Sequence, residues 1–80
     1  MEIDLIRIEP EHRRFRFYRL SVWPDLFGGF SLAREWGRLG SPGTLRLDRY
    51  GSAAEAGRAL ERLACAKERR GYRPAGRMAA

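Results

Sequence analysis

Arg34, Trp36 and Arg38 alternate along residues 30–38, FSLAREWGR. In an extended strand that spacing sets all three side chains on one face, an aromatic plate between two guanidinium groups. Such a plate suits the sugar or base of a nucleotide, with its phosphates reaching the flanking cations. The same residues also suit a cation–π stack that covers a sheet edge. Leu32 shares their parity, so part of this face is core unless the strand bends first. Gly37 lies on the opposite face and either admits a second backbone at close range or marks a bulge.

A second chemical feature is a basic cluster near the C-terminal end. The chain carries 16 Lys and Arg against 10 Asp and Glu, a net charge of +6. Residues 1–61 hold 10 basic and 9 acidic side chains. Beyond them Arg62, Lys67, Arg69, Arg70, Arg73 and Arg77 face only Glu68, so nearly all the excess sits there. A patch of this sign fits phosphates or another anionic surface. Lys67 is the only lysine; the other fifteen cations are arginines, which suit bidentate phosphate contact and stacking. High Arg and Ala codon usage would give the same bias.

Catalytic and metal chemistry find no comparable support. His12 is the only histidine and has no Cys nearby, so it reads as a surface turn residue. Cys65 is the only cysteine, which excludes an internal disulfide and a thiolate zinc site. It reads as an inert, partly buried thiol beside a helical apolar stripe. Asp25 and Asp48 are isolated, a turn-former and a surface charge, and Ser31, Ser41 and Ser52 lack a positioned base. Gly28-Gly29 and Gly37-Arg38-Leu39-Gly40 lack the Gly-Lys-Ser/Thr ending of a phosphate loop. We therefore expect no enzyme, cofactor, metal or small-molecule substrate. No apolar run reaches the 18–20 or so residues that span a bilayer, and the first residues lack a signal-peptide core. The expected setting is cytoplasmic, with no membrane partner.

Eighty residues make one domain with a small core. Residues 3–9 read as a first strand, ended by a turn at Pro10 to Arg13. Residues 14–23 alternate strongly, but Phe15 and Phe17 oppose Tyr18, Leu20 and Val22. Either both faces are partly covered or a bulge re-aims the strand. Strands over 30–38 and 44–50 follow, separated by breakers at 24–29 and 40–43. Ser52 and Glu55 have capping-box spacing, and Ala56, Ala59, Leu60, Leu63 and Ala64 make one apolar helix stripe. Gly57 is a candidate for close packing on the sheet, and Gly71 for the helix cap. The expected fold is α+β: an antiparallel sheet of about four strands followed by one C-terminal helix packed on it. The expected core is Ile3, Leu5 or Ile6, Ile8, Tyr18, Leu20, Val22, Leu32, Leu45, Leu47, Leu60 and Leu63. Residues 1–74 form the domain and 75–80 a flexible tail.

FYRLSV, FSLAREWGRLG and the helix ending KERRGY stand in an order that resembles the WGR domain family, named for the tripeptide Trp36-Gly37-Arg38. The resemblance runs from about Phe17 to Tyr72. It implies the strand–helix arrangement above and contact with DNA at strand breaks. In that family the tripeptide's Trp packs on the sugar of a terminal nucleotide, and its Arg touches nucleic acid and neighbouring domains; these roles fall on Trp36 and Arg38. Lys67 and Tyr72 match the family's helix-end Lys and the aromatic five residues later. No polymerase or zinc finger stands beside the motif within these residues.

The expectation is therefore a non-catalytic module for DNA ends or breaks, with weak sequence preference. Its site would comprise Arg34, Trp36, Gly37, Arg38, Lys67, Arg69, Arg70 and Tyr72. The alternative is a protein-interaction adaptor that uses the same Trp/Arg face.

Overall fold

The computed structural model describes residues 1–75. Strand β1 (Glu2–Glu9) ends in a single 3₁₀ turn over Pro10–His12, with Arg13 in the left-handed region at φ 52°. Strands β2 (Arg14–Pro24), β3 (Phe30–Arg38) and β4 (Thr44–Tyr50) follow, then helix α1 (Ala53–Arg69). After the helix, a two-residue strand β5 (Arg73–Pro74) pairs with Leu5 and Ile6. The antiparallel sheet runs β4-β3-β2-β1-β5, so the segment after the helix covers the β1 edge and β4 stays open. Ala75, expected in the tail, donates its amide to Asp4 O at 2.8 Å; the rest of that tail lies outside the described residues.

Pairing along β2 is continuous on both sides, without a bulge. Its phase change records one face covered by the helix and a second covered only in part, at Ser21. Tyr18 and Leu20 are buried under the helix, while Trp23 folds over buried Ser21 on the other face and donates Nε1–H to its Oγ at 2.9 Å.

One helix covers one face of the sheet, and that fixes which apolar residues become core. Leu5, Tyr18, Leu20, Leu32, Ala59, Leu60, Ala64 and Tyr72 form the buried cluster, with Ile3, Val22, Trp36, Tyr50 and Leu63 packed at its margin. Leu45, Leu47 and Ile8 do not join it and are 58%, 59% and 50% exposed. In the register Leu32 lies opposite Asp48, so Asp48 faces the helix and its neighbours Leu45 and Leu47 point away. Ile8 shares the uncovered face with Phe15, its partner on β2. Cys65 is exposed rather than partly buried, because Leu60 and Ala64 take the sheet-facing positions of the helix.

Both helix ends are capped as their residues require. Ser52 Oγ accepts the Glu55 amide at 3.2 Å. The Glu55 carboxylate reaches past Ser52 to the amide of Gly51 at 3.2 Å. At the other end Gly71 takes φ +101°, its amide donates to Glu68 O, and the Tyr72 amide donates to Lys67 O, both at 3.1 Å. These two bonds make a Schellman motif, which ties Tyr72 to the Lys67 turn. Gly57 makes room for the side chain of Met1 rather than for the sheet: a Cβ there would lie 3.1 Å from Met1 Cε.

Candidate functional site

Register, more than sequence proximity, assembles the site. Tyr18 on β2 lies directly opposite Trp36 on β3, and their rings stack with centroids 5.8 Å apart and planes 14° apart. Tyr72, delivered by the Schellman turn, meets Tyr18 edge-on at 6.2 Å. Lys67, one helical turn before the cap, holds Nζ 4.4 Å from the Tyr18 centroid and 5.8 Å from that of Tyr72. Cation–π contact of this kind holds an ammonium group in place without a carboxylate.

Around these aromatic rings opens a cleft of about 620 Å³, lined by Arg7, Arg14, Arg16, Arg34, Arg46, Lys67 and Arg70 with Tyr18, Trp36 and Tyr72. Two carboxylates pair with four of the cations and offset half of their charge. Glu9 holds Arg7 at 3.2 Å and Arg14 at 3.4 Å; Asp48 holds Arg34 at 3.2 Å and Arg46 at 3.1 Å. The buried Nε of Arg34 has no hydrogen-bond partner, so its pairing with Asp48 is Coulombic only. Arg16, Lys67 and Arg70 have no ion-pair partner among the described residues. Burial first, and then the fields of Arg70, Arg34 and Arg16, lower the Lys67 pKa below the ordinary lysine value. A site that destabilises its own cations in this way gains electrostatic free energy when an anion enters.

Five of the residues expected at the site line this cleft: Arg34, Trp36, Lys67, Arg70 and Tyr72. Trp36 serves partly as core, and Tyr72 is buried. Gly37 works from the other side of the sheet. A Cβ there would lie 2.8 Å from Gly43 Cα, so the bare position lets the 40–43 turn close behind Trp36. Arg38 is exposed at the end of β3, opposite Arg16, where its carbonyl receives the Ser41 amide and hydroxyl at 3.1 and 2.9 Å. Neither Arg38 nor the exposed Arg69 lines the cleft. Sequence reasoning missed Arg7, Arg14, Arg16 and Arg46. The period-two run Arg14, Arg16, Tyr18 carried the signal for β2, and only its pairing with Trp36 makes it part of the site.

Among the described residues no group of three or more His, Cys, Asp or Glu could hold a metal ion. Nor is any helix among them long and apolar enough to cross a membrane.

The chain is 38% identical over 68 residues to an uncharacterized protein, y4dW, of Sinorhizobium fredii (strain NBRC 101917 / NGR234). That alignment covers 85% of this chain and spans 33% of the relative's length. No solved structure gives a significant match. The model of the WGR domain matches residues 1–79, and the chain belongs to this family, which is generally nucleic-acid-binding.

Proposed function

We propose that this protein is a non-catalytic DNA-binding module that engages strand ends or breaks through the Trp36 cleft. The observation that carries the reading is the trio Arg16, Lys67 and Arg70, three cations without carboxylate partners among the described residues, grouped around the Tyr18–Trp36 stack. Phosphates meet that trio, with Arg38 as a further contact at the end of β3. The exposed margin of Trp36 packs on the sugar or base of the terminal nucleotide. Tyr72 braces the Tyr18 ring, Arg34 lines the cleft beside Asp48, Gly37 lets the turn close, and Arg69 adds only to the long-range field. An end suits the cleft because the last nucleotide has one unstacked face, whereas internal pairs present only edges and backbone. Contacts made mainly to phosphate give weak sequence preference.

Fluorescence anisotropy with blunt duplex, nicked duplex and closed circular DNA tests the reading. The expected result is tighter binding to blunt and nicked DNA than to the closed circle. With three to five phosphates held, binding falls with salt at a log–log slope of about −3 to −4.5. Equal binding to all three forms removes end recognition. Absence of binding at about 50 mM salt turns the assignment to the adaptor role, in which the Trp36 face meets another protein.

A further inference from the structure

β4 is the free edge of the sheet. The opposite edge, at β1, is closed by β5, whereas among the described residues nothing pairs with the outer side of β4. A terminal strand presents a row of unpaired N–H and C=O groups, a template for another strand. Protein edges are commonly blunted by proline, lysine, a bulge or short length. β4 has none of these: its seven residues, TLRLDRY, pair with β3 without interruption. Leu45 and Leu47 stand exposed on its uncovered face.

The charges of β4 decide what that template fits. Read outward from Leu47, the strand is complementary to itself in antiparallel alignment. With a twofold axis at Leu47, Arg46 stands opposite the second copy's Asp48, and Asp48 opposite the second copy's Arg46. On the uncovered face Leu47 meets its own counterpart, and Leu45 meets the aliphatic stem of Arg49. Strand pairs gain from directly opposed charges of unlike sign and lose from like charges. Moving the axis by one residue sets Arg46 against Arg46, or Asp48 against Asp48. Moving it by half a residue turns one copy over and sets Leu47 against Arg46 or Asp48. The Arg46 side chain is 63% exposed, so its guanidinium is free to reach across.

From this self-complementarity we infer that β4 joins a second copy of this chain by antiparallel β4–β4 pairing centred on Leu47, making one continuous sheet through both copies. Both helices then lie on the same side of that sheet, and the two Trp36 clefts open to that side. One seven-residue strand pair is small beside the roughly 1,200–2,000 Å² of stable interfaces. The association is therefore concentration-dependent. It does not rest on the DNA reading above.

Sedimentation velocity of the full chain from about 1 μM to about 1 mM is expected to pass from monomer to dimer. Leu47→Lys sets two ammonium groups against each other on the axis and should abolish the dimer. Because Leu47 is exposed, that variant keeps its fold. Arg46→Asp and Asp48→Arg should each be monomeric alone. An equimolar mixture of those two should dimerise, since every opposed charge pair is then of unlike sign. Register is read by disulfide formation in a Cys65→Ser background. Leu47→Cys should cross-link under mild oxidation, because opposed Cα atoms lie about 4.5–5.5 Å apart. Leu45→Cys should not, since four residues separate it from its alignment partner, Arg49, and its own counterpart lies beyond disulfide reach. A chain still monomeric at about 1 mM, a dimer that survives Leu47→Lys, or equal cross-linking of Leu45→Cys and Leu47→Cys overturns the inference. So does a folded mixture of the two charge variants that stays monomeric. If Asp48→Arg fails to fold beside Arg34, the Leu47→Lys and cysteine variants decide.

Discussion

Lys67 Nζ stands 4.4 Å from the centroid of the Tyr18 ring, whose neighbour on the sheet is Trp36. The ammonium is thus tied to the aromatic pair that a nucleotide would meet, and its charge remains unmatched by any carboxylate of the cleft. Because burial and three arginines lower its pKa, the proton on Lys67 is coupled to whatever anion the cleft holds. An anion favours the charged form. DNA affinity should therefore fall as pH rises through the lowered Lys67 pKa, below the ordinary lysine range. Lys67→Arg should flatten that dependence, since a guanidinium stays protonated. Isothermal titration in buffers of different ionisation enthalpy would register the proton uptake near the upper end of the window. Folding stability moves the opposite way: the unfolded chain holds the proton more tightly there, so stability gains with pH until the unfolded lysine also deprotonates.

Removing one cation at a time separates phosphate contacts from background charge. Arg16→Ala should weaken binding and reduce the magnitude of the salt slope by about 0.9. Arg69→Ala, outside the cleft, should leave the slope within error. A variant series titrated between about 50 and 200 mM salt decides the matter. Equal slopes for Arg16→Ala and the parent would remove Arg16 from the site.

Trp36 has two duties that a single substitution mixes. Trp36→Ala should lower stability by about 3–5 kcal/mol if its core contacts dominate, and weaken end binding by about 1–3 kcal/mol through lost stacking. Trp36→Phe keeps an aromatic ring beside Tyr18 and should fold with a smaller loss. Thermal melts beside each titration separate the two contributions. Folded Trp36→Phe and Trp36→Ala variants that bind ends as tightly as the parent would exclude stacking.

The turn behind Trp36 has no room for a side chain at Gly43. Gly43 has φ +78°, and a Cβ there would lie 2.5 Å from Trp36 O and 2.7 Å from Phe17 Cζ. Gly43→Ala should destabilise by more than the roughly 0.4–1 kcal/mol by which the same replacement stabilises a protein at unstrained positions. Gly37→Ala meets Gly43 Cα at 2.8 Å and should also lower the melting temperature. A Gly37→Ala variant as stable as the parent would show that the turn can move away.

Two leucine substitutions check the division between covered and open faces. Leu47→Lys should change stability by no more than about 0.5 kcal/mol, as an exposed position. Leu20→Ala, at a position 0% exposed, should cost about 2–5 kcal/mol. Denaturant titration of both distinguishes this arrangement from one in which β4 faces the core.

Local physics made much of this legible from the chain alone. Ser52 before an apolar stripe and Gly71 after it set the helix ends, because capping groups and a left-handed glycine act within a few residues. Alternation and the breakers at 24–29 and 40–43 placed the strands, and the WGR tripeptide marked the family. Period-two spacing also put Arg34 and Trp36 on one face without any tertiary information. What it could not say is which face the helix covers. Leu45 and Leu47 share a face as expected, but the register opposite Leu32 turns them to the open side. A shift of one residue would have reversed that, since pairing is a long-range choice. The cation cluster was decided in the same way. Arg16 and Lys67 are 51 positions apart in the chain, and only the pairing of β2 with β3, with the helix laid across them, brings both to Tyr18. Spacing tells how a side chain points relative to its neighbours. Only packing selects what it points at.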